Sequence, residues 1–412
     1  MPTILHLSGS PYAITAYQCN PELGGNSALE SLREVMKSES IALMLDFVPN
    51  HMAGDCPQVV SNPEMFVRAP RHLEAPFSPD RYLPNGVAYG NPEWTDTAQI
   101  NYWNPVAVDW QIENLLQVAS FCSAIRCDMA HLVLNDNFGA IWRENVESWG
   151  WQRPEEEFWR VAIRRVKEEY PGTIFLAETY SDESTLLSLG FDFVYDKRLF
   201  DRLEHGNLDS IRDHISMSGS DFLSRCAHFV ENHDEPRAVH SFGSVERANA
   251  AAVITFTVPG MRFHFQGQWK GKRAKLNVHL RRCSEEPISE EAVEFYQRLQ
   301  PIVSEDVFRR GSFAMANIIQ SPPEESAWRL LAWQWSLADK KEYRLVVVNF
   351  TDTLGVSRYA IPCLDEVEGE VVVVSDLLSG QKWERQRDVL LQEGLVVVLE
   401  PWKAQIFAFW TE

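Results

Sequence analysis

Short apolar runs recur through the first three quarters of the chain, separated by longer stretches in which apolar residues return every three or four positions. IALMLDFV (41–48), FCSAIRCD (121–128), TIFLAE (173–178), FDFVYD (191–196), CAHFVEN (226–232) and MRFHFQ (261–266) have the length of strands. Between them NSALESLREVMKSES, VAVDWQIENLLQVAS, PEEEFWRVAIRRVKEEYP and ERANAAAVITFT carry helical spacing, with Gly or Pro at many joins. Strand, helix, strand in regular order predicts parallel pairing with the helices outside. The runs are apolar almost throughout, which fits a sheet covered on both faces.

Two regions break this rhythm. Residues 52–105 are rich in Pro, Asn, Asp and aromatic residues, as in HMAGDCPQVVSNPEMF and RYLPNGVAYGNPEWTD. A structureless loop of that length is unusual in a compact domain, so the reading is an inserted subdomain on the strand that ends near His51. After about residue 312 the strand-like runs ANIIQ, WRLLAWQW, YRLVVVNF, EVVVVSDLL, LVVVLEP and AQIFAFW follow one another with no strong helix between them. They predict an all-β domain of the sandwich type.

With 412 residues and 45% hydrophobic content, the chain can fill one large core and a smaller one. Fourteen Trp and 22 Phe are many, and flat aromatic faces suit sugar rings, although most such residues serve ordinary core packing. A formal charge of −20 argues against a nucleic-acid partner, which calls for a basic face, and is compatible with a neutral substrate. The seven Cys (19, 56, 122, 127, 226, 283 and 363) are scattered, odd in number and without a CxxC pair. MPTILHLSGS lacks the basic start and long apolar stretch of a signal peptide, and no apolar run approaches the length of a membrane span. The expectation is a soluble protein of a reducing compartment, the cytoplasm, without membrane or nucleic-acid partners; oligomeric state is not encoded in any pattern found.

Three acids lie just past apolar strands: Asp128 in AIRCDMAH, Glu178 in TIFLAETY and Asp234 in FVENHDEP. In a parallel α/β barrel, reactive groups sit at such C-terminal strand ends. Cleaving a sugar–sugar bond needs a carboxylate that attacks carbon and a carboxyl that shuttles a proton, and a further anion can stabilise positive charge at the reacting carbon. Arg126 lies two positions before Asp128, on the same face of the strand, where it would keep that carboxylate ionised. Partial burial after IFLA would raise Glu178, as suits a proton donor and acceptor. Any one of these acids could equally be a helix cap or a solvated strand end. The set and its spacing carry the reading.

The chain resembles the α-amylase family, glycoside hydrolase family 13. DFVPNH (46–51) is similar to that family's third-strand motif and IRCDMAH (125–131) to its fourth. LAETY (176–180) and FVENHD (229–234) are similar to the fifth and seventh. SPYAITAY (10–17) is a weaker match, TAQINYWNP (97–105) resembles the family's inserted-domain motif, and VPGMRFHFQGQ (258–268) resembles its eighth strand and exit. The resemblance implies Asp128 as nucleophile, Glu178 as acid/base, and His233 with Asp234 as the transition-state pair. It implies Arg126 beside the nucleophile, His51 as a sugar contact and Tyr12 as the ring stacked on that sugar. The implied fold is α/β: a TIM-type (β/α)8 barrel, N-terminally incomplete, with a subdomain inserted after strand three and a C-terminal β-sandwich. Its implied segments are 1–51 for the first barrel portion, 52–105 for the insertion, 106–311 for the rest of the barrel and 312–412 for the sandwich. The implied activity is retaining cleavage of α-glucosidic bonds in an α-glucan or α-glucoside, through a glycosyl–Asp128 ester.

Three departures from the family qualify this. Only about 40 residues precede the third-strand motif, so strands one and two and the first helix look absent. An eight-stranded barrel does not close with six strands, and open edges result. The expectation is a truncated or misassigned start, the alternative a short protein completed by a partner. At the second departure Gln99 stands where the family has an Asp calcium ligand, leaving Asn50 as the weak candidate, so no cofactor and no tight calcium are expected. At the third, His131 and Leu132 replace a Lys-His pair on the acceptor side, and His131 becomes a candidate leaving-group contact. A transglycosylase of the same family, or a non-catalytic relative that binds carbohydrate or a partner, are the competing readings. Sugar-phosphate or nucleotide chemistry lacks any Gly-rich phosphate loop.

Overall fold

The structure is a computed structural model of the chain, describing residues 10–73, 85–87, 93–280, 285–319, 326–361, 364 and 369–411. The chain folds as two compact units, Met1–Tyr195 with Val278–Arg281, and Asp196–Asn277 with Arg282–Glu412.

The first unit contains β1 (Met44–Phe47), β2 (His51–Ala53), β3 (Thr97–Gln99), β4 (Ala124–Cys127), β5 (Ile174–Ala177) and β6 (Phe193–Tyr195). β1, β4, β5 and β6 pair side by side in that order, all parallel, with Phe47 opposite Cys127 and Cys127 opposite Ala177. The strands are shorter than the apolar runs, because the ends of each run serve loops and caps. The helix Pro105–Phe121 begins where Asn104 accepts the Val106 N–H at 2.9 Å, with Pro at its first position, and buries Ala107, Ile112, Leu115 and Val118. Under the C-terminal ends of the strands lies Trp159, from the helix Phe158–Glu169. Its ring meets Phe47, Phe158 and Phe191, and its Nε1 donates to Ala130 O at 2.8 Å. The chain leaves the sheet after β1 and its excursion is tied at the root by β2 and β3, antiparallel, with His51 opposite Gln99.

Among the described residues no strand precedes β1, which pairs on one side only, with β4. The helix Gly25–Ser38 has no buried residue, and Leu32 and Val35 are 49% and 61% exposed. The helices Asn135–Ser148, Glu183–Leu189, Lys197–His205, Leu208–Leu223 and Glu290–Val303 also alternate with strands. The sequence pattern singled out none of these, and Ser, Asp and Asn dilute the apolar spacing of Asn135–Ser148 and Leu208–Leu223.

The second unit holds β7 (Cys226–His228) and β8 (Met261–Arg262), parallel to each other, with the helix Val245–Thr257 between them in sequence. Gly260, just before β8, has φ +128°, and a Cβ there would fall 2.6 Å from His228 Nε2 and 2.5 Å from Leu223 O, so only glycine lets the chain pass. The unit continues with β9 (Ser312–Met315), β10 (Leu330–Leu337), β11 (Glu342–Asn349), β12 (Gly355–Tyr359), β13 (Val371–Asp376), β14 (Lys382–Gln386), β15 (Leu395–Leu399) and β16 (Ala404–Thr411). The larger sheet runs β14-β13-β16-β11-β10-β9, and β12 pairs with β15 in a second.

β10, β11 and β13 carry long apolar runs because both faces of the larger sheet are covered there, whereas β14 (KWERQ) is mostly exposed. Leu331, Trp333, Trp335, Val346 and Val348 pack with the helices Val245–Thr257 and Glu290–Val303. Their neighbours Leu330, Ala332, Leu345 and Val347 pack on the other side with Tyr359 and Val397 of the small sheet. Trp333 and Trp335 donate to Thr257 Oγ1 and Thr257 O, at 3.2 and 2.7 Å. The sandwich is therefore one half of a double-sided packing, sharing a core with helices of the preceding βα segment. Of ANIIQ, residues 316–319 are described and form no ladder strand: β9 lies before them, and Ile318 makes an isolated bridge to Tyr359, so this stretch carries the chain from one sheet to the other. Cys19, Cys56, Cys122, Cys127 and Cys226 are free thiols, and Cys283 and Cys363 lie outside the described residues.

Candidate active site

The register of the parallel strands sets four side chains on one face. Asp46 of β1 is paired with Arg126 of β4, and Arg126 with Leu176 of β5. Asp128 and Glu178 follow two residues beyond Arg126 and Leu176, so they point the same way. Both acids extend the ladder past the strand ends: Asp128 N donates to Phe47 O at 2.8 Å and Glu178 N to Cys127 O at 2.9 Å.

Arg126 is the hub of this cluster. Nη1 lies 2.8 Å from Asp46 Oδ1 and 3.3 Å from Asp128 Oδ1, and Nη2 lies 2.7 Å from Glu178 Oε2. The last is a close ion contact whose angle departs from that of a hydrogen bond, which leaves Nη2 without a well-directed acceptor. Nε donates to the Tyr195 hydroxyl at 3.1 Å and Nη1 to the Tyr12 hydroxyl at 3.5 Å. Glu178 is only 2% exposed and receives two further donors, Met129 N–H at 2.9 Å to Oε2 and the Tyr180 hydroxyl at 2.9 Å to Oε1. Met129 has φ +43°, a left-handed conformation rare outside glycine. That turn is what aims its N–H back at Glu178. The two carboxyls lie near enough for each to act on the other's ionisation.

The protonation of this pair reverses the sequence expectation. Burial pushes Asp128 well above the usual carboxylate range, and the Glu178 charge pushes it further, beyond what Arg126 pulls back. Burial also acts to raise Glu178, but Arg126, the Met129 N–H and the Tyr180 hydroxyl together hold it below its ordinary value. The reason is in the distances. Glu178 has the nearer guanidinium nitrogen and two donors of its own, whereas Asp128 shares Nη1 with Asp46. The two carboxyls titrate as a coupled pair, with Asp128 the harder of the two to ionise.

The structure also brings Tyr12, His51 and His131 to this unit's cluster. The Tyr12 ring centroid lies 5.5 Å from the Arg126 guanidinium carbon, and the Tyr12 backbone is hydrogen-bonded to the His51 ring. His51 is buried and its ring lies 5.0 Å from that of Trp94. Gly86 passes so close that a Cβ there would sit 3.0 Å from His51 Cβ. Burial drops the His51 pKa to about 4, so the ring is neutral at physiological pH. His131, in the single turn Ala130–Val133, is lowered by burial too, and packs edge-on to Tyr180 at 6.0 Å with Nδ1 buried and unpartnered. Asn50 accepts from Gln99 and faces His51.

Asp234 and His233 belong to the second unit, just past β7. His233 Nε2 lies 3.0 Å from Asp234 Oδ2, Asn232 Oδ1 accepts the Asp234 N–H at 2.9 Å, and the Lys275 ammonium reaches Asp234 O. Sequence reading missed Asp46, Tyr180 and Tyr195. An acid in the middle of IALMLDFV is costly unless paired, and Arg126 in the next apolar run was the available partner. The two tyrosines gave no comparable signal.

No protein-family model matches the chain. In sequence it is 24% identical over 275 residues to the α-amylase MalA of Haloarcula japonica, over 64% of this chain and 37% of that protein. The chain thus spans well under two thirds of that curated relative's length. An α-amylase structure from Lactobacillus plantarum matches with a TM-score of 0.72 at 20% identity, over 97% of this chain and 86% of that one. The noncanonic maltogenic α-amylase AmyB of Thermotoga neapolitana matches with a TM-score of 0.73 at 20% identity, over 98% and 86%. These likenesses show the fold, an α-amylase-type (β/α)8 barrel with an all-β C-terminal region.

Proposed function

From a chain related to the α-amylases and folded as they are, we propose a retaining glycosidase acting on α-glucosidic bonds. The observation that carries it is the gathering of Asp128 and Glu178, from neighbouring strands, around the one Arg126 guanidinium. Inverting enzymes need carboxyl groups about 6.5–9.5 Å apart to admit a water, while retaining ones hold them at about 5–5.5 Å. Two carboxyls held by one guanidinium favour the second, closer arrangement.

In this mechanism Asp128 attacks the anomeric carbon while Glu178 protonates the leaving oxygen. Water or a sugar hydroxyl then attacks the glycosyl–Asp128 ester, with Glu178 as base. Attack requires Asp128 ionised and the proton transferred to Glu178, against the direction in which burial acts on Asp128. A glycosidic oxygen accepting from Glu178, and positive charge gathering at carbon beside Asp128, both favour that transfer. Neutral His51 and His131 suit contacts with uncharged hydroxyls. Arg126, already matched by three carboxylates, has no charge left for an anionic sugar. Asp234 and His233 take the transition-state role that the likeness of FVENHD to the family's seventh-strand motif implies.

The test is turnover of aryl α-glucosides and malto-oligosaccharides, with Asp128→Ala and Asp234→Asn as controls, and NMR of the first-formed anomer. The expected product is the α-anomer, with both variants inactive. A β-anomer, or turnover no different from Asp128→Ala, overturns the proposal. Product analysis with excess sugar acceptor separates hydrolysis from transglycosylation.

A further inference from the structure

Gln99 is fully buried at the root of the insertion, and its Nε2 faces three oxygens. Asn50 O is 2.8 Å away, Asn50 Oδ1 3.1 Å and Ile100 O 3.2 Å. Three acceptors around one nitrogen fix the amide's orientation, because the reverse would set Oε1 against three oxygens with no hydrogen between. The orientation leaves Oε1 buried without a partner, one unmade hydrogen bond in place of three. Since Asn50 Oδ1 accepts from Gln99, its Nδ2 is turned to His51 Nδ1, at 3.3 Å. Hydrogen bonding thus runs from Gln99 through Asn50 to His51.

The family resemblance implies a calcium ion here, and these residues do not fit one. Calcium gathers six to eight oxygens at about 2.3–2.6 Å. Here the centre of the oxygens is taken by a nitrogen at hydrogen-bond lengths. The adjoining carbonyl is also taken by protein donors: Pro49 O accepts from the Tyr102 hydroxyl at 2.6 Å and from Gln111 Nε2 at 3.1 Å.

We propose that the Gln99 amide does the work of a cation, clamping the Asn50–His51 turn to β3, so that the chain folds and positions His51 without calcium. Its two hydrogens are directional donors on a neutral group, so the clamp is insensitive to chelators. Gln99 is a positioning residue, acting on the site through Asn50 and His51. The proposal concerns the fold of the turn and stands whether or not the chain turns over glucosides.

Thermal unfolding of the full chain in excess EDTA and in millimolar calcium chloride tests it. The wild-type Tm is expected to agree between the two within about 2 °C, while Gln99→Asp loses roughly 4–10 °C in EDTA and regains it on calcium titration. Gln99→Met, which keeps the size and removes the donor, is expected to lose a similar amount in both buffers. A wild-type Tm that falls on chelation, a Gln99→Asp protein that calcium does not stabilise, or a Gln99→Met protein with wild-type Tm each overturns the proposal.

Discussion

Arg126 Nη2 lies 2.7 Å from Glu178 Oε2, closer than Nη1 lies to Asp128, at 3.3 Å. The guanidinium therefore favours the Glu178 anion over the Asp128 anion, in line with the opposite directions in which their pKa values move. Replacing Arg126 by Met removes the main force holding Glu178 down and a force opposing the rise of Asp128. Both carboxyls then titrate at higher pH. In Arg126→Met the limbs of the kcat/KM pH profile are expected to move alkaline, with a loss of about 10²–10³ in kcat/KM at the optimum. A profile that keeps its wild-type limbs contradicts this assignment of charges.

Tyr180 offers a finer probe, since its hydroxyl touches only one of the two acids in the hydrogen bonds seen, Glu178 at 2.9 Å. Tyr180→Phe keeps the ring against His131 and removes the donor. The Glu178 pKa is expected to rise, and the limb of the pH profile that reports the acid form moves alkaline by less than in Arg126→Met. A change of about ten- to a hundredfold in kcat is the expected scale for one hydrogen bond to a charged carboxylate. Equal shifts in both variants contradict the ranking.

Asp128 is held where its anion is unfavourable, and this has a consequence for stability. Its folded pKa lies above its unfolded value, so its favourable contribution is intact below about pH 3.9 and is lost as pH rises through the folded value. Asparagine resembles the protonated form and can still donate to Glu178. Asp128→Asn is expected to match the wild-type Tm near pH 4 and to exceed it at neutral pH, by about 1–2 kcal/mol of stability, with turnover abolished. Calorimetry across that range decides it. A neutral-pH Tm below wild type contradicts the protonation state.

Much of this was legible in the chain. The parallel strands and the acids past their ends followed from apolar runs and their punctuation. Which acid is the harder to ionise was not, because it turns on a guanidinium's distance to two carboxyls and on the left-handed turn at Met129, and a sequence shows neither. Successive strand-like runs with no helix between them gave the β-rich segment, but not that Trp333 and Val346 face helices while Ala332 and Val347 face another sheet. A strand covered on both faces reads as one unbroken apolar run. ANIIQ read as a strand because apolar content marks burial, and the chain is partly buried there while it crosses between sheets.

A second buried carboxylate, Asp196, has no assigned part in the chemistry and governs acid stability. Its Oδ2 lies 2.9 Å from His214 Nε2 and 3.1 Å from His228 Nδ1, and its Oδ1 accepts the Leu199 N–H at 3.0 Å, capping the helix Lys197–His205. Burial acts to raise its pKa, but the hydrogen bonds and charges of the two imidazoles overcome this and hold it far below the usual range. A depressed folded value means stability that is present above about pH 3.9 and lost as pH falls through the folded value. Asp196→Asn can keep the cap but offers the two histidines no charge. At neutral pH it is expected to destabilise the second unit by about 3–5 kcal/mol, as breaking a buried ion pair from one side does. The gap should close as pH drops below 4, because the wild type then loses what the variant already lacks. Urea unfolding at a series of pH values measures both, and a gap that stays constant down to pH 2 would show that shape, not charge, is what Asp196 supplies.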